Sequence, residues 1–417
     1  MSDTPLSVRN DAPRQSTDLA AADQAAPLSK PPVAIPTIAA AVPVLPVQLA
    51  ARDGASRKAT AIIYCEANLG EIDGKTANGL VRHSEIYEIL AVIDSKHAGS
   101  DAGVVLGEEH QGIPVCRDLA DAIACGGAVP DYYIYGVAPA SGMLTVPQRG
   151  LILEAIASGM NIVCGLHEFL NDDEEFASAG ARHNVTILDV RRPRDKKHLR
   201  SFSGRIAEVT CPRIAVLGTD CAIGKRTTAT VLTRALNERG IRAVLVGTGQ
   251  TGLMQGARYG VALDAVPSQF CSGELEATIV EAFEVEHPDV IIVEGQGSLS
   301  HPAYSTSAVI LRGCHPDGVV LQHAPARAHR CDFQSMPMPS PADEIRLIEL
   351  FAATKVIGLT INHEGMSDDE VSAAITSYEC ELEIPATDAL SRPSDRLVDM
   401  VVAAFPELEK KLTVAVS

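Results

Sequence analysis

Short apolar runs alternate with amphipathic segments along the chain from residue 58 onward. Five runs in the first half have the length of buried strands: TAIIYCEA (60–67), EILAVIDS (88–95), DYYIYGVA (131–138), NIVCGLHE (161–168) and NVTILDV (184–190). RDLADAIAC (117–125) and PQRGLILEAIASG (147–159) have the pattern of the helices between them. Strands that alternate with helices predict a parallel sheet.

A second series of the same kind follows a basic stretch, RRPRDKKHLRSFSGR (191–205), which we interpret as a surface connector with solvated charges. Its apolar runs are CPRIAVLG (211–218), IRAVLVGT (241–248), DVIIVEGQG (289–297), DGVVLQHA (317–324) and KVIGLTINHE (355–364). We therefore predict an α/β protein with two doubly wound units, residues 58–207 and 208–417.

Residues 1–57 have a different composition, rich in Ala, Pro, Ser and Asp, and without helical or strand periodicity. This composition predicts a disordered leader. The apolar stretch VAIPTIAAAVPVLPVQLAA (33–51) contains Pro36, Pro43 and Pro46, and no basic region precedes it. We therefore expect neither a membrane span nor a signal peptide, and a cytoplasmic location.

The composition of the chain argues against a nucleic acid as its partner. The formal net charge is -18, aromatic residues make up 4% of the chain, and tryptophan is absent. A protein of this kind offers neither a basic field nor stacking platforms to a nucleic acid. Ten cysteines are scattered without a C-x-x-C pair, which indicates reduced thiols rather than disulfides or a zinc site. Cys221 is the one thiol placed where it could serve a ligand.

The stretch GTDCAIGKRT (218–227) lies between a predicted strand and the amphipathic segment that follows it. Backbone N–H groups of such a turn, the helix N-terminus and the lysine converge on one point, which is the geometry that binds phosphate. We therefore predict a phosphate loop in a phosphate-loop NTPase-like domain. Its candidate ligand-binding residues are Gly218, Thr219, Asp220, Gly224, Lys225, Arg226 and Thr227.

The loop departs from the common G-x-x-x-x-G-K-[ST] pattern in two ways. Five residues separate Gly218 from Gly224, and Arg226 occupies the position of the magnesium-binding hydroxyl. The spacing resembles the G-T-D-x-x-x-G-K loop of dethiobiotin synthetase, in which a threonine follows the lysine. Because arginine binds phosphate oxygens without a metal, this departure weakens a Mg-ATP function and favours a metal-free polyphosphate ligand such as coenzyme A.

Polar residues also follow the other strands of the second unit, and ligands of open α/β sheets bind at that edge. Glu294 ends a predicted strand, and His301 lies shortly after it; either could act as a general base, and His301 could equally be a structural loop residue. Gln250 follows another strand and is a candidate substrate contact. Glu274 could bind a substrate amine, although a charged helix start explains it equally well.

The segment DGKTANGLVRHS (73–84) in the first unit contains G-K-T, but its glycine spacing is wrong for a phosphate loop, and the part after Gly74 is short and broken by Gly79. Lys75, Thr76 and Arg82 form a compact set that could bind a dicarboxylate; exposed residues on a turn are the equal alternative. No G-x-G-x-x-G precedes the acidic strand end in this unit, so we do not predict NAD.

Taken together, GKTANGLVR, GTDCAIGKRTTA, GTGQTG, SGELEA and EGQGSLSHPAYS resemble the signature blocks of one family, over residues 58–405. This family, long described as a domain of unknown function, includes D-glutamate N-acetyltransferase. The resemblance implies a Rossmann-like N-terminal domain and a phosphate-loop C-terminal domain. It also implies acetyl transfer from acetyl-CoA to the amine of D-glutamate, with a partner dehydrogenase acting on the product.

The resemblance further implies roles for the candidate residues. Residues 224–227 would bind the coenzyme A phosphates, Glu294 or His301 would be the base, and Lys75 with Arg82 would hold the glutamate carboxylates. No metal is required. Gln269 stands where the family pattern has an acid, which puts the substrate preference in question.

Two other functions remain open from the residues alone. The loop spacing is compatible with a Mg-ATP-dependent kinase or ligase of the dethiobiotin synthetase type that acts on a small carboxylate. A nucleotide-binding regulator or metal-insertion GTPase is the third, with little support because no residues have metal-site spacing. We expect a small-molecule substrate and a homo-oligomer in each enzymatic case.

Overall fold

The computed structural model describes residues 58–139 and 141–412. The predicted leader, residues 1–57, lies outside the described residues. Within the described ranges, no helix combines the length and the apolar character needed to cross a membrane.

The first half forms a parallel sheet of six strands in the order β3-β2-β1-β4-β5-β6. This is a common strand order of dinucleotide-binding folds. The strands are β1 (Ala59–Tyr64), β2 (Tyr87–Ile93), β3 (Val115–Cys116), β4 (Tyr132–Tyr135), β5 (Asn161–Cys164) and β6 (Ile187–Asp189). The helices are α1 (Lys75–Arg82), α2 (Ala102–Val105), α3 (Leu119–Gly126), α4 (Val146–Ala157) and α5 (Glu174–His183).

The second half forms a parallel sheet of seven strands in the order β15-β14-β11-β7-β10-β8-β9. They are β7 (Arg213–Gly218), β8 (Ala243–Gly247), β9 (Tyr259–Gly260), β10 (Val290–Glu294), β11 (Gly318–His323), β14 (Lys355–Ile361) and β15 (Ala386–Asp388); β12 (His329–Arg330) and β13 (Phe333–Pro337) form a separate hairpin. The helices are α6 (Lys225–Glu238), α7 (Gln250–Gln255), α8 (Ser268–Glu286), α9 (Thr306–Cys314), α10 (Pro341–Phe351), α11 (Asp368–Leu382) and α12 (Asp395–Ala404).

The predicted α/β class with a Rossmann-like and a phosphate-loop half is confirmed. The ten strands predicted from apolar runs are all present, since β-sheets covered on both faces need continuous apolar segments such as the fully buried β10. One local prediction is wrong: the segment after Gly74 is the helix α1, and Gly79 lies within it. A Cβ on Gly79 would lie 2.5 Å from the Arg226 guanidinium, so the glycine makes room for a side chain of the other half.

The two halves meet where α1 packs on α7. The Thr76 and Thr251 hydroxyls are 2.9 Å apart. Gln255 donates to the carbonyl oxygens of Gly79, at 2.6 Å, and His83, at 2.8 Å, and accepts a hydrogen bond from Arg226. Because all of these groups are buried or partly buried, this polar contact fixes α1 against the start of α6.

Candidate active site at the phosphate loop

The loop between β7 and α6 has the strand–turn–helix geometry that the sequence predicts. Gly224 precedes α6 with a φ of 104°, a conformation that glycine adopts without strain. Ala222 also has a positive φ, of 48°. Lys225 is buried, and its Nζ donates to the backbone oxygen of Asp220 at 2.5 Å. Burial lowers the pKa of Lys225, while the nearby acidic groups oppose that shift.

Arg226 does not lie with Lys225 on the ligand side of the loop. Its guanidinium donates to Gln255 and lies against Gly79, at the contact between the two halves. Burial lowers the pKa of Arg226 to about 10, and the neighbouring Glu294 opposes that effect. The residue that replaces the magnesium-binding hydroxyl is therefore held by the domain contact rather than directed at a ligand phosphate.

A buried acid–imidazole pair lies beside the loop. The Asp220 Oδ2 accepts the Cys331 amide at 2.8 Å, whereas Oδ1 has no hydrogen-bond partner and faces the His301 Nε2 at 3.5 Å. Both side chains are fully buried, and the His301 Nε2 also lacks a partner. Burial lowers the pKa of His301 more than Asp220 raises it. The ring Nδ1 accepts the Ala303 amide at 3.2 Å, so proton exchange with a ligand would take place at the facing Nε2 and Oδ1 atoms of the pair.

Cys221 completes this group. One Cys221 Sγ, one ring nitrogen of His301 and one carboxylate oxygen of Asp220 all lie within 4.8 Å of one another. A hydrogen bond from the Cys331 thiol is the largest cause that lowers the pKa of Cys221, and the Lys225 charge adds to it against the effect of burial. A sulfur, a nitrogen and an oxygen at such distances could also ligate a divalent metal such as zinc.

Glu294 lies at the carboxyl end of β10. Its Oε2 accepts the amides of Thr248, at 2.9 Å, and Gly249, at 3.4 Å. Burial raises the pKa of Glu294, and the Arg226 charge is the largest opposing effect. The carboxylate is therefore fixed in position, and its raised pKa makes it a stronger proton acceptor than an ordinary glutamate.

Comparison with known proteins agrees with this architecture. A family model described as the DUF1611 C-terminal P-loop domain, of unknown function, matches residues 200–398, and the DUF1611 N-terminal Rossmann-like domain matches residues 95–193. A D-glutamate N-acetyltransferase of Pseudoalteromonas sp. is 33% identical over 273 residues, which are 64% of this chain and 80% of that relative. The chain belongs to the DUF1611 family.

Two further comparisons extend the match. A D-glutamate N-acetyltransferase of Tritonibacter scottomollicae is 30% identical over 292 residues, covering 68% of this DUF1611 chain and 84% of the relative. The crystal structure of a DUF1611 family protein from Anabaena variabilis superposes with a TM-score of 0.76 at 30% identity, covering 83% of this chain and 100% of that chain.

Three residues of this DUF1611 protein that were predicted to bind the substrate are instead paired with other groups of the protein. Glu274 accepts the amide and the guanidinium of Arg200, each at 2.7 Å, and lies 3.5 Å from Arg194. It therefore anchors the connector and is not free to bind a substrate amine. Arg82 pairs with Glu108 at 2.5 Å, and the Thr76 hydroxyl bonds Thr251.

The other two candidates differ in their setting. Lys75 is exposed at the first position of α1. Gln250 is buried at the start of α7, where a Cβ on Gly165 would lie 2.9 Å from its Cγ. Gln250 therefore packs against the first half. Lys75 and Arg82 of the predicted dicarboxylate set are both exposed, and Arg82 is paired with Glu108.

The basic connector, predicted to be solvated, departs from that prediction in part: Arg191 is buried, Arg194 and Arg200 are partly buried, and each is paired with an acid. Arg191 bonds Asp264 at 2.9 Å and the carbonyl oxygen of Gly165. Burying a charge is costly unless it is paired, and Asp264 and Glu274 supply the partners. These two acids, of which Glu274 was predicted to bind a substrate amine, hold the connector on the second half.

Sequence analysis missed Arg330, Cys331 and His323, which also surround the loop. Arg330 donates to the carbonyl oxygen of Thr219 at 3.2 Å and to the Ser298 hydroxyl at 3.0 Å. The hairpin that carries Arg330 has no recognisable motif. His323, in contrast, ends β11, so the strand-end rule that selected Glu294 could have found it.

His323 makes folding stability dependent on pH. Its Nδ1 lies 2.9 Å from the Thr219 hydroxyl, and burial lowers its pKa to about 4. The unfolded imidazole titrates near about 6.5. Between these values only the unfolded chain takes up the proton, so the stability present above pH 6.5 is lost as the pH falls towards 4, by up to about 3 kcal/mol.

We therefore expect His323→Gln to flatten the decline of the free energy of unfolding over that pH range. Urea denaturation at several pH values measures this slope, and His183→Gln, at an exposed position, is the control. Equal slopes in the wild type and His323→Gln would contradict the prediction.

Proposed function

We propose that this DUF1611 protein is an N-acetyltransferase that moves the acetyl group of acetyl-CoA to the amine of D-glutamate. The observation that carries the proposal is the match, across both halves of the chain, to two relatives named D-glutamate N-acetyltransferase. The site supports acyl transfer, because it combines buried groups able to accept a proton with loop amides and a buried lysine.

Acetyl transfer to an amine needs three things: a base for the ammonium proton, donors for the oxyanion and a means of holding the acceptor. Glu294 and the Asp220–His301 pair supply candidate bases. The loop amides and Lys225 supply donors and positive charge at one point. The acceptor carboxylates would meet Lys75, which remains free to bind an anion at the start of α1.

We propose a placement of coenzyme A that differs from the sequence-based expectation, which put its phosphates at the loop. The diphosphate and the thioester lie at opposite ends of the pantetheine arm, so one loop serves only one of them. The candidate base His301 is 3.5 Å from the loop residue Asp220. We place the acetyl thioester at the loop, with the loop amides and Lys225 stabilising the oxyanion.

Turnover assays test the proposed function. Purified protein would be incubated with acetyl-CoA and D- or L-glutamate, and free thiol and N-acetylglutamate would be measured; a parallel assay would use Mg-ATP and detect ADP. We expect thiol and product in equal amounts with D-glutamate, before and after dialysis against EDTA. ADP formation without thiol would favour the ATP-dependent alternative, and loss of turnover with EDTA would overturn the metal-free mechanism.

Lys225→Ala separates the two placements of coenzyme A. With the thioester at the loop, we expect kcat to fall about 100-fold while the KM for acetyl-CoA changes little, because the lost charge acts on the oxyanion. Steady-state kinetics measure both constants, and Lys196→Ala, in the exposed part of the connector, is the control. A large increase in KM with kcat unchanged would instead indicate that the coenzyme A phosphates bind at the loop.

The expected partner dehydrogenase and the homo-oligomer remain predictions. Size-exclusion chromatography with light scattering would measure the oligomeric state.

A further inference from the structure

We propose that Cys221 is the nucleophile of a two-step transfer, in which the acetyl group passes through a thioester on the Cys221 sulfur. This inference rests on the proposed function and specifies how that reaction proceeds. It assigns a covalent intermediate to a thiol in the phosphate loop.

The Cys221 thiol lies close to an imidazole and a carboxylate. Cys221 Sγ lies within 4.8 Å of both a His301 ring nitrogen and an Asp220 carboxylate oxygen. Covalent acyl transfer uses a nucleophile with a proton acceptor close by, and the facing Nε2 and Oδ1 atoms of the Asp220–His301 pair supply one here. The three residues come from two separate segments, the loop after β7 and the segment after β10, which the sheet topology places side by side.

Two buried polar atoms near the thiol form no hydrogen bond. The Asp220 Oδ1 and the His301 Nε2 face each other at 3.5 Å in side chains with no exposed surface, and neither forms a hydrogen bond; Arg330 lies 3.7 Å from Oδ1. Buried polar groups in folded proteins are nearly always satisfied, and the exceptions call for a functional explanation. A proton that moves between the thiol and this pair gives both atoms a role during the reaction.

Neighbouring groups stabilise the thiolate form of Cys221. The Sγ atoms of Cys221 and Cys331 lie within 4.8 Å of each other. The Cys331 thiol and the Lys225 charge lower the pKa of Cys221, against burial and the charges of Asp220 and Asp332, whereas burial raises the pKa of Cys65, Cys164 and Cys314. Reactive thiols occur in such partly exposed, electropositive settings, and inert ones are buried in apolar surroundings.

The Cys221 thiol is partly accessible to a ligand. Cys221 is partly exposed, in contrast to the five fully buried thiols Cys65, Cys116, Cys164, Cys271 and Cys314. Opposite the sulfur lies Gly297, with a φ of 59°, and a Cβ there would begin 3.9 Å from Cys221 Sγ. A larger residue at position 297 would extend towards the sulfur, so the glycine keeps this side free for an acyl group.

The proposed acetyl transfer takes place in two steps. The Cys221 thiol gives its proton to the Asp220–His301 pair, and the thiolate attacks the acetyl carbonyl carbon of acetyl-CoA. The bond from this carbon to the coenzyme A sulfur breaks, and coenzyme A leaves as a thiol after taking the proton from the pair. The neutral amine of glutamate then attacks acetyl-Cys221 and gives its extra proton to Glu294 or to the Asp220–His301 pair. The bond from the acetyl carbon to the Cys221 sulfur breaks, that proton passes to the sulfur, and N-acetylglutamate leaves with Cys221 restored as the thiol.

Acetyl-enzyme formation tests the proposal in the full-length wild-type protein. Protein mixed with acetyl-CoA and no amine would be acid-quenched within the first turnover and analysed by intact-mass and peptide mass spectrometry. We expect one acetyl group per chain, on the peptide that contains Cys221, with release of an equal amount of coenzyme A. Adding D-glutamate to the acetylated protein should remove the label and form N-acetylglutamate.

Variants and kinetics complete the test. Cys221→Ala is expected to lower kcat about 10⁴-fold and to abolish labelling; Cys221→Ser, which preserves the size of the side chain, shows whether the loss is structural. Cys380→Ser, at an exposed thiol on α11, is the matched control and should label normally. Parallel lines in double-reciprocal plots are expected for the wild type.

Three outcomes would overturn the covalent step: Cys221→Ala with more than a tenth of wild-type turnover, intersecting lines in the wild type, or a tightly bound zinc ion whose removal abolishes activity. Each leaves the proposed function intact, because the wild type would still acetylate D-glutamate. Absence of any acetyl transfer by the wild type is the different result that would overturn the proposed function itself.

Discussion

Glu294→Gln is expected to lower kcat about 10³-fold while the fold stays intact. Both amide bonds to this side chain end on the same atom, Oε2, so a glutamine can place its carbonyl oxygen there and keep the contacts with Thr248 and Gly249. What the variant loses is the ability to take a proton. General base catalysis contributes about 10² to 10⁴ in rate, and the middle of this range gives the expected loss.

The pH profile identifies this role more specifically than the rate does. A base works when it is deprotonated, so kcat/KM should rise with pH through the pKa of Glu294. Burial raises that pKa, which places the rising limb above the range of an ordinary glutamate. We expect the limb to be present in the wild type and absent in Glu294→Gln.

A buried glutamate away from the loop provides the control. Glu276 accepts the Ser203 amide at 2.7 Å and the Ile206 amide at 3.1 Å. Glu276→Gln should reduce stability but retain the wild-type pH profile. An unchanged rate and profile in Glu294→Gln would exclude Glu294 as the base and leave the Asp220–His301 pair to accept the amine proton.

Gly295→Ala is expected to reduce the free energy of unfolding by about 3 kcal/mol and to abolish turnover. Gly295 follows β10 directly, at the edge where β10 pairs with β7. A Cβ at this position would overlap the carbonyl oxygen of Val216 and lie 3.1 Å from the Leu217 Cα. Because both are backbone atoms within a sheet, the strands must separate, and overpacking of this kind costs about 1–3 kcal/mol or more.

Urea denaturation and the acetyl-transfer assay measure the two effects of Gly295→Ala. Gly150→Ala is the matched control, because Gly150 lies within α4 and an added Cβ there meets nothing within 4 Å. That change should raise stability, by up to about 1 kcal/mol, since alanine favours helix. A Gly295→Ala protein with wild-type stability would show that the strand edge can relax.

The sequence predicts the fold well because local patterns determine its elements. Continuous apolar runs specify strands covered on both faces, as in β10, and a glycine-bounded turn between a strand and a helix specifies the loop before Lys225. The same reasoning correctly places Glu294 at the carboxyl end of a strand, while its role as a base stays a prediction.

The partners of charged side chains could not be predicted in this way. Arg226 bonds a glutamine of α7 and lies on a glycine of α1, and Glu274 pairs with the connector. These contacts join segments that are distant in the chain, and nothing in the local pattern distinguishes a ligand-binding arginine from one that a neighbouring domain holds. Cys221 and His301 come together for the same long-range reason.

The contact around Arg226 has a consequence for engineering and for evolution. A fragment containing only the second half would keep the hydrogen bond between Arg226 and Gln255. It would lose the surface at Gly79 that covers the guanidinium and the two carbonyl oxygens, of Gly79 and His83, that accept from the Gln255 amide. Such a fragment would have to hydrate or refold this surface at the first turn of the helix that carries Lys225. The phosphate-loop half is thus not an exchangeable module: transplanting it behind another N-terminal domain would require a new partner surface for this arginine.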